Sequence, residues 1–150
     1  MKVSLTNYEI FLAAMVGVRR KIASKDYSKD YTFIDPQVWW GSDIEAACAE
    51  MAVAKALKIY WDGSVNTYSA PDVGIFQIRH TQIAHGKLII RPKDSDSETF
   101  IFIIGSSPDF EIKGWMKGEQ AKQDKYLSSP NGRAPCWMVP QEDLNSEFFV

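Results

Sequence analysis

The chain has 150 residues, 45% of them hydrophobic and 24% charged, which is enough for one buried core and excludes global disorder. Seventeen Lys and Arg against nineteen Asp and Glu leave a formal charge of -2, excluding a uniformly basic nucleic-acid binder while leaving room for a local patch. Two cysteines, Cys48 and Cys136, are too few for a disulfide scaffold and lack metal-ligand spacing, so they read as reduced thiols in or near the core.

Thr6-Asn7-Tyr8-Glu9 has the form of a capping box and opens a predicted helix that runs to about Ser24. Tyr8, Phe11, Leu12, Met15, Val18 and Ile22 fall on one side of it. Its apolar run precedes Arg19-Arg20-Lys21, whereas a signal peptide carries its charges in front. No stretch nears the eighteen apolar residues of a membrane span, so the expectation is a soluble, cytoplasmic protein without membrane contact. Residues 25–41 mix charges, aromatics and a proline and read as a surface connection. A second capping box, Ser42-Asp43-Ile44-Glu45, predicts a helix to about Lys58. Trp39-Trp40 and Tyr60-Trp61 bracket it and read as core or staple residues.

Beyond Lys58 the pattern turns to strands, over residues 65–68, 74–80, 87–91, 99–104 and 110–115. Ala84-His85-Gly86 reads as a hairpin tip, and residues 92–98 as a polar, acidic turn. The run 100–104 is apolar on both faces and predicts a central strand. From Gly118 onward, prolines and the absence of a period predict an irregular wrap over 118–150 around a core at 42–115. Two N-terminal helices followed by a four- to five-stranded mixed sheet make one α/β or α+β domain across residues 1–150.

Strand parity puts Gln77 and Arg79 on one face and Phe76 and Ile78 on the other. Gly74 permits a bend that brings Asp72 to the Gln77 side. A carboxylate, a carboxamide oxygen and a guanidinium then meet, a set suited to Mg²⁺ and phosphate. Pro71-Asp72, a short gap, Gln77, one residue and Arg79 together resemble the PD-(D/E)xK nuclease motif. The spacing is most similar to the mismatch-repair nicking endonuclease and its restriction-enzyme relatives, and Ile78-Arg79-His80-Thr81 resembles the E-L-K-T-like strand of that branch.

The resemblance implies a restriction-endonuclease-like core and DNA hydrolysis with Mg²⁺ or Mn²⁺. It implies Asp72 as principal metal ligand, joined by Glu50 from the preceding helix, the Gln77 oxygen and the Ile78 carbonyl, with Arg79 on the scissile phosphate. Gln77 replaces the usual acid and Arg79 the usual lysine; a guanidinium cannot serve as a base, so its role is limited to holding charge. The alternative is a non-catalytic DNA- or protein-binding module on the same fold. Whole-chain pattern is also similar to small phage-encoded proteins, which implies a host cytoplasm. A second Pro-Asp, in Pro108-Asp109-Phe110-Glu111-Ile112-Lys113, has its acids only two apart and reads as an exposed strand edge.

Basic residues gather in two places. Residues 77–93 hold Arg79, Lys87, Arg91 and Lys93 with His80 and His85 and no acid; Arg19, Arg20, Lys21 and Lys25 cluster at the end of the first helix. Both are candidate phosphate-backbone contacts, with His80 assisting. Without a separate recognition domain, specificity for a sequence would come from loops or from a homodimer.

Overall fold

The computed structural model describes residues 1–24, 36–65, 67 and 70–148. A short first strand, two helices and then the remaining strands of a mixed sheet give an α+β fold. Strand β1 (Lys2–Ser4) is followed by helix α1 (Asn7–Ala23) and helix α2 (Pro36–Leu57). The strands β2 (Phe76–Thr81), β3 (Leu88–Ile90), β4 (Thr99–Ser106) and β5 (Asp109–Lys117) come next, then the short helix α3 (Gly118–Ala121) and the strands β6 (Leu127–Ser128) and β7 (Cys136–Val139).

The capping box of α1 forms as the sequence predicts: Glu9 N–H donates to Thr6 Oγ1 at 3.2 Å and Thr6 N–H to Glu9 Oε2 at 2.7 Å. The second box does not. Helix α2 begins at Pro36, a residue suited to a first helical position because it lacks an N–H to satisfy, so Ser42 lies inside the helix. The Glu45 carboxylate instead accepts from Ser107 N–H at 2.9 Å and Ser107 Oγ at 3.2 Å. At its other end α2 stops in a Schellman turn, with Ile59 N–H donating to the Ala54 carbonyl at 2.9 Å and Lys58 N–H to that of Lys55 at 3.3 Å. Lys58 takes φ +55° there, a place usually given to glycine.

Helix α2 lies between α1 and the sheet and is buried on more than one side through Ala47, Cys48, Ala49, Ala52, Val53 and Ala54. The buried side of α1 carries Ala13, Gly17 and Lys21, with Ile10 and Val16 packed half-buried against the same core. A Cβ on Gly17 would lie 2.7 Å from both the Asp43 carbonyl oxygen and the Ile44 Cα, so the backbones touch at that crossing. The side that carries Tyr8, Phe11, Leu12 and Met15 faces outward.

The main sheet has the order β1-β5-β4-β2, with β2 parallel to β4 and the other pairs antiparallel. Strand β4 is central, as its two-sided apolar run predicts: Ile101 and Ile103 face the helices, while Phe100, Phe102 and Ile104 face a second core. That second core is closed by a small antiparallel sheet, β3-β7-β6, through Leu88, Ile90 and Val139. Three sequence expectations change here. The turn at 84–86 joins β2 to β3, but these strands belong to different sheets, so there is no hairpin. Residues 118–150 do not only wrap; they supply β6 and β7. The run from Asp109 is an inner strand between β4 and β1, not an edge. In the expected strand at 65–68, Asn66 and Tyr68 lie outside the described residues, and Val65 and Thr67 are not in a strand. Cys48 and Cys136 are buried free thiols, as expected.

Candidate nucleic-acid interface

Gly74 adopts φ +60° in a tight turn in which Val73 and Phe76 bridge each other. The turn folds Asp72 back along the outer edge of β2: Asp72 N–H donates to the Phe76 carbonyl at 2.9 Å, and Asp72 Oδ2 accepts from Ile78 N–H at 2.7 Å. The bend expected from Gly74 is therefore present, and Asp72 and Gln77 line one cleft. Ile78 N–H points off the free edge of β2, and within a strand the carbonyl of the same residue points the same way. Arg79 Nη1 donates to that carbonyl at 3.3 Å.

The cleft has a volume of about 840 Å³. Gln77, Arg79 and Thr81, alternating along β2, form one wall, and Lys87, Ile89 and Arg91, alternating along β3, form the other; Lys93 and Asp94 close one end. Alternation explains the second wall: Leu88 and Ile90 are buried in the second core, so their odd-numbered neighbours face out. Arg79 is held by Asp94, Nη2 to Oδ1 at 3.1 Å, and lies over the Phe100 ring at 4.9 Å from its centroid.

Glu98, which the sequence places in a polar turn, belongs to the site. Its Oε1 accepts from Gln77 Nε2 at 2.9 Å and its Oε2 from Ser95 N–H at 3.1 Å. Parallel pairing places Thr99 beside Phe76, which sets Glu98 next to the start of β2. Burial pushes the Asp72 carboxyl above its ordinary range, the Ile78 N–H, Arg79 and Arg20 pull it back, and the Glu98 charge adds to the rise.

Glu50 occupies a different place. It is buried, and its two oxygens take both arms of Arg20, Nη1 at 2.6 Å and Nη2 at 2.9 Å, with Trp61 Nε1 at 2.9 Å. Arg20 Nε also donates to the Ser64 carbonyl at 2.9 Å. Glu50 faces a groove on the helix side of β2, next to Ile78 and His80, and not the cleft of Asp72 and Gln77. Burial raises its pKa beyond what Arg20 and Trp61 restore, and the nearby Asp72 charge contributes to the rise. The expected three-way convergence thus becomes two residues in the cleft and one across the strand.

The N-terminal basic cluster also divides. Arg20 is bound to Glu50, Lys21 is buried and paired with Asp43 at 2.9 Å, and Arg19 is exposed. Lys25 lies outside the described residues. Arg20 and Lys21 take internal partners instead of the expected backbone contacts: Arg20 neutralises the buried Glu50 carboxylate, and Lys21, itself buried, is neutralised by the partly exposed Asp43. His80 Nε2 lies 2.8 Å from the Gly105 carbonyl, which only accepts, so Nε2 carries the proton and Nδ1 does not form this bond. The ring meets Phe110 edge-on at 5.8 Å.

Among the described residues, no group of three His, Cys, Asp or Glu is arranged to hold a metal ion. The donors that remain at β2 are Asp72, the Ile78 carbonyl, Gln77 and Glu98. They are all oxygen donors with two carboxylates among them, the kind of set Mg²⁺ accepts alongside waters and phosphate. Comparison with protein-family models, with curated proteins and with solved structures found no match for this chain. Among the described residues, no helix is long and apolar enough to cross a membrane.

Proposed function

We propose that the cleft beside β2 binds a nucleic-acid strand and that the protein hydrolyses its phosphodiester backbone with a divalent cation, in the manner the PD-(D/E)xK resemblance implies. The observation that supports this reading is convergence: the motif residues Asp72, Gln77 and Arg79 and the basic residues Lys87, Arg91 and Lys93, which the sequence groups with Arg79, line the same cleft. Asp72, Glu98 and the Ile78 carbonyl would hold Mg²⁺ or Mn²⁺, with the Gln77 oxygen beside them; Glu50, closed by Arg20 and Trp61, is not part of that set. A bound cation supplies an acidified water and neutralises charge on phosphate. The remaining work falls to the chain. Asp94 and Phe100 hold the Arg79 guanidinium at the cleft, where its planar fork of donors would take a phosphate oxygen. Lys87, Arg91 and Lys93 neutralise phosphates on either side and fix the register of the strand.

The test is cleavage of single- and double-stranded DNA and of RNA under Mg²⁺ or Mn²⁺ titration, with Asp72→Ala as the comparison. Metal-dependent cleavage that Asp72→Ala abolishes is the expected result. Alongside it, replacing Lys87, Arg91 and Lys93 together is expected to weaken binding. It should also flatten the plot of log affinity against log salt by roughly 0.9 for each duplex phosphate no longer neutralised. A second reading, a non-catalytic binding module on the same cleft, is favoured by the closed Glu50-Arg20-Trp61 network. Salt-dependent binding without cleavage supports it; absence of both nucleic-acid binding and cleavage removes the nuclease reading and leaves a protein as the partner of a binding module.

A further inference from the structure

Helix α1 presents to solvent the side that an amphipathic helix ordinarily buries. Tyr8 is 70% exposed, Phe11 60%, Leu12 37%, Met15 51% and Ile22 65%. Tyr8, Met15 and Ile22 are seven residues apart, and so are Phe11 and Val18. That is the a/d spacing of a helix seam built to meet another helix. The opposite side of α1 is already committed to α2 through Ala13, Gly17 and Lys21. At about 150–250 Å² for each large side chain, the five exposed residues leave roughly 500 Å² of mostly apolar surface uncovered. A monomer rarely leaves that much contiguous apolar area in water without use.

We infer that α1 is a dimerisation helix, pairing antiparallel with α1 of a second copy about a two-fold axis that passes close to Met15. Two features select this occupant. The first is area: a stable interface buries about 800 Å² per partner, and an apolar strip of roughly 500 Å² with its polar margin comes near that. The second is charge. Arg19 is the exposed charge on the seam. Antiparallel pairing about Met15 sets Arg19 opposite Phe11 of the partner copy, a cation over an aromatic ring, and sets Tyr8 opposite Ile22. It also opposes the two helix dipoles. Parallel pairing would bring the two Arg19 side chains together instead. The interface is isologous, so it closes at two copies and forms no filament. Nothing in this inference depends on the cleft beside β2.

Sedimentation or light scattering from low to high micromolar concentration is expected to give twice the mass of the chain. Met15→Glu, at a solvent-facing position, is expected to give the mass of one chain with an unchanged circular dichroism spectrum. For the arrangement, Met15→Cys is expected to form an intermolecular disulfide under mild oxidation while Tyr8→Cys does not, since antiparallel pairing separates the two copies of residue 8. Cys48 and Cys136 are buried and leave the background silent. A wild-type chain that stays monomeric across the range overturns the proposal and assigns the strip to a different partner. Equal cross-linking at residues 8 and 15 also overturns it, since that outcome belongs to a parallel pair.

Discussion

Asp72 sits where its ionised form is disfavoured. Burial raises its pKa, and Glu98 adds to the rise. A carboxyl raised in the folded state is protonated there more readily than in the unfolded chain. Its contribution to stability is therefore complete below the ordinary aspartate value of about 3.9 and declines as pH rises through the window up to the folded value. Asp72→Asn keeps an oxygen for Ile78 N–H and removes the charge. Its melting temperature is expected to exceed that of the wild type at pH 7, with the difference vanishing below about pH 3.9, measured as paired melts across pH. A destabilised Asp72→Asn at neutral pH would assign the carboxylate a purely structural role. Arg20 makes the opposite case. Arg20→Met leaves Glu50 buried beside Trp61 without its cation and is expected to cost about 3 kcal/mol in urea unfolding. The sequence made Asp72, Gln77 and Arg79 visible because their spacing is local. It hid Glu98, Asp94 and the Arg20–Glu50 pair because those partners are set by strand pairing and helix packing across 15 to 30 residues.

Local rules predicted α1 and β4 and misplaced the elements whose partners are distant. The Thr6 box worked because all its atoms lie within four residues. The Ser42 box has the same letters, but helix α2 already extends back to Pro36, and Glu45 is drawn to Ser107 instead. Periodicity identified the apolar side of α1 and could not say that the small side would be buried, since Ala13 and Gly17 contribute closeness of approach and little hydrophobic signal. That closeness makes a prediction. In an exposed helix Gly→Ala gains about 1 kcal/mol, yet Gly17→Ala is expected to lose about 1–3 kcal/mol, because its methyl meets backbone atoms of α2. Lys58→Gly is expected to gain about 1 kcal/mol by relieving a left-handed residue at the end of α2. Denaturant midpoints of both variants check the signs.

Two cores, one on each face of the main sheet, hold the molecule together, and the cleft depends on the second. Its basic wall is β3, three residues long, which is anchored by Leu88 and Ile90 and paired to β7. Leu88→Ala is expected to cost about 3 kcal/mol by leaving a cavity at a fully buried position. Hydrogen exchange should show the loss as faster exchange in β3 and β7 while the helix-facing core keeps its protection. Loss of protection spread evenly over both cores would mean that the two sheets unfold as one unit.

The pairing of β3 with β7 has a consequence for how the chain matures as it is made. The ribosome delivers β2 and β3 early, but β3 has no strand partner until residues 136–139 emerge, nearly fifty residues later. A nascent chain that has reached Lys117 already holds every strand of the main sheet and both long helices, and the β3 wall of its cleft still lacks its strand partner. Completion of the cleft is thus a late event of synthesis, following that of the main sheet and both long helices.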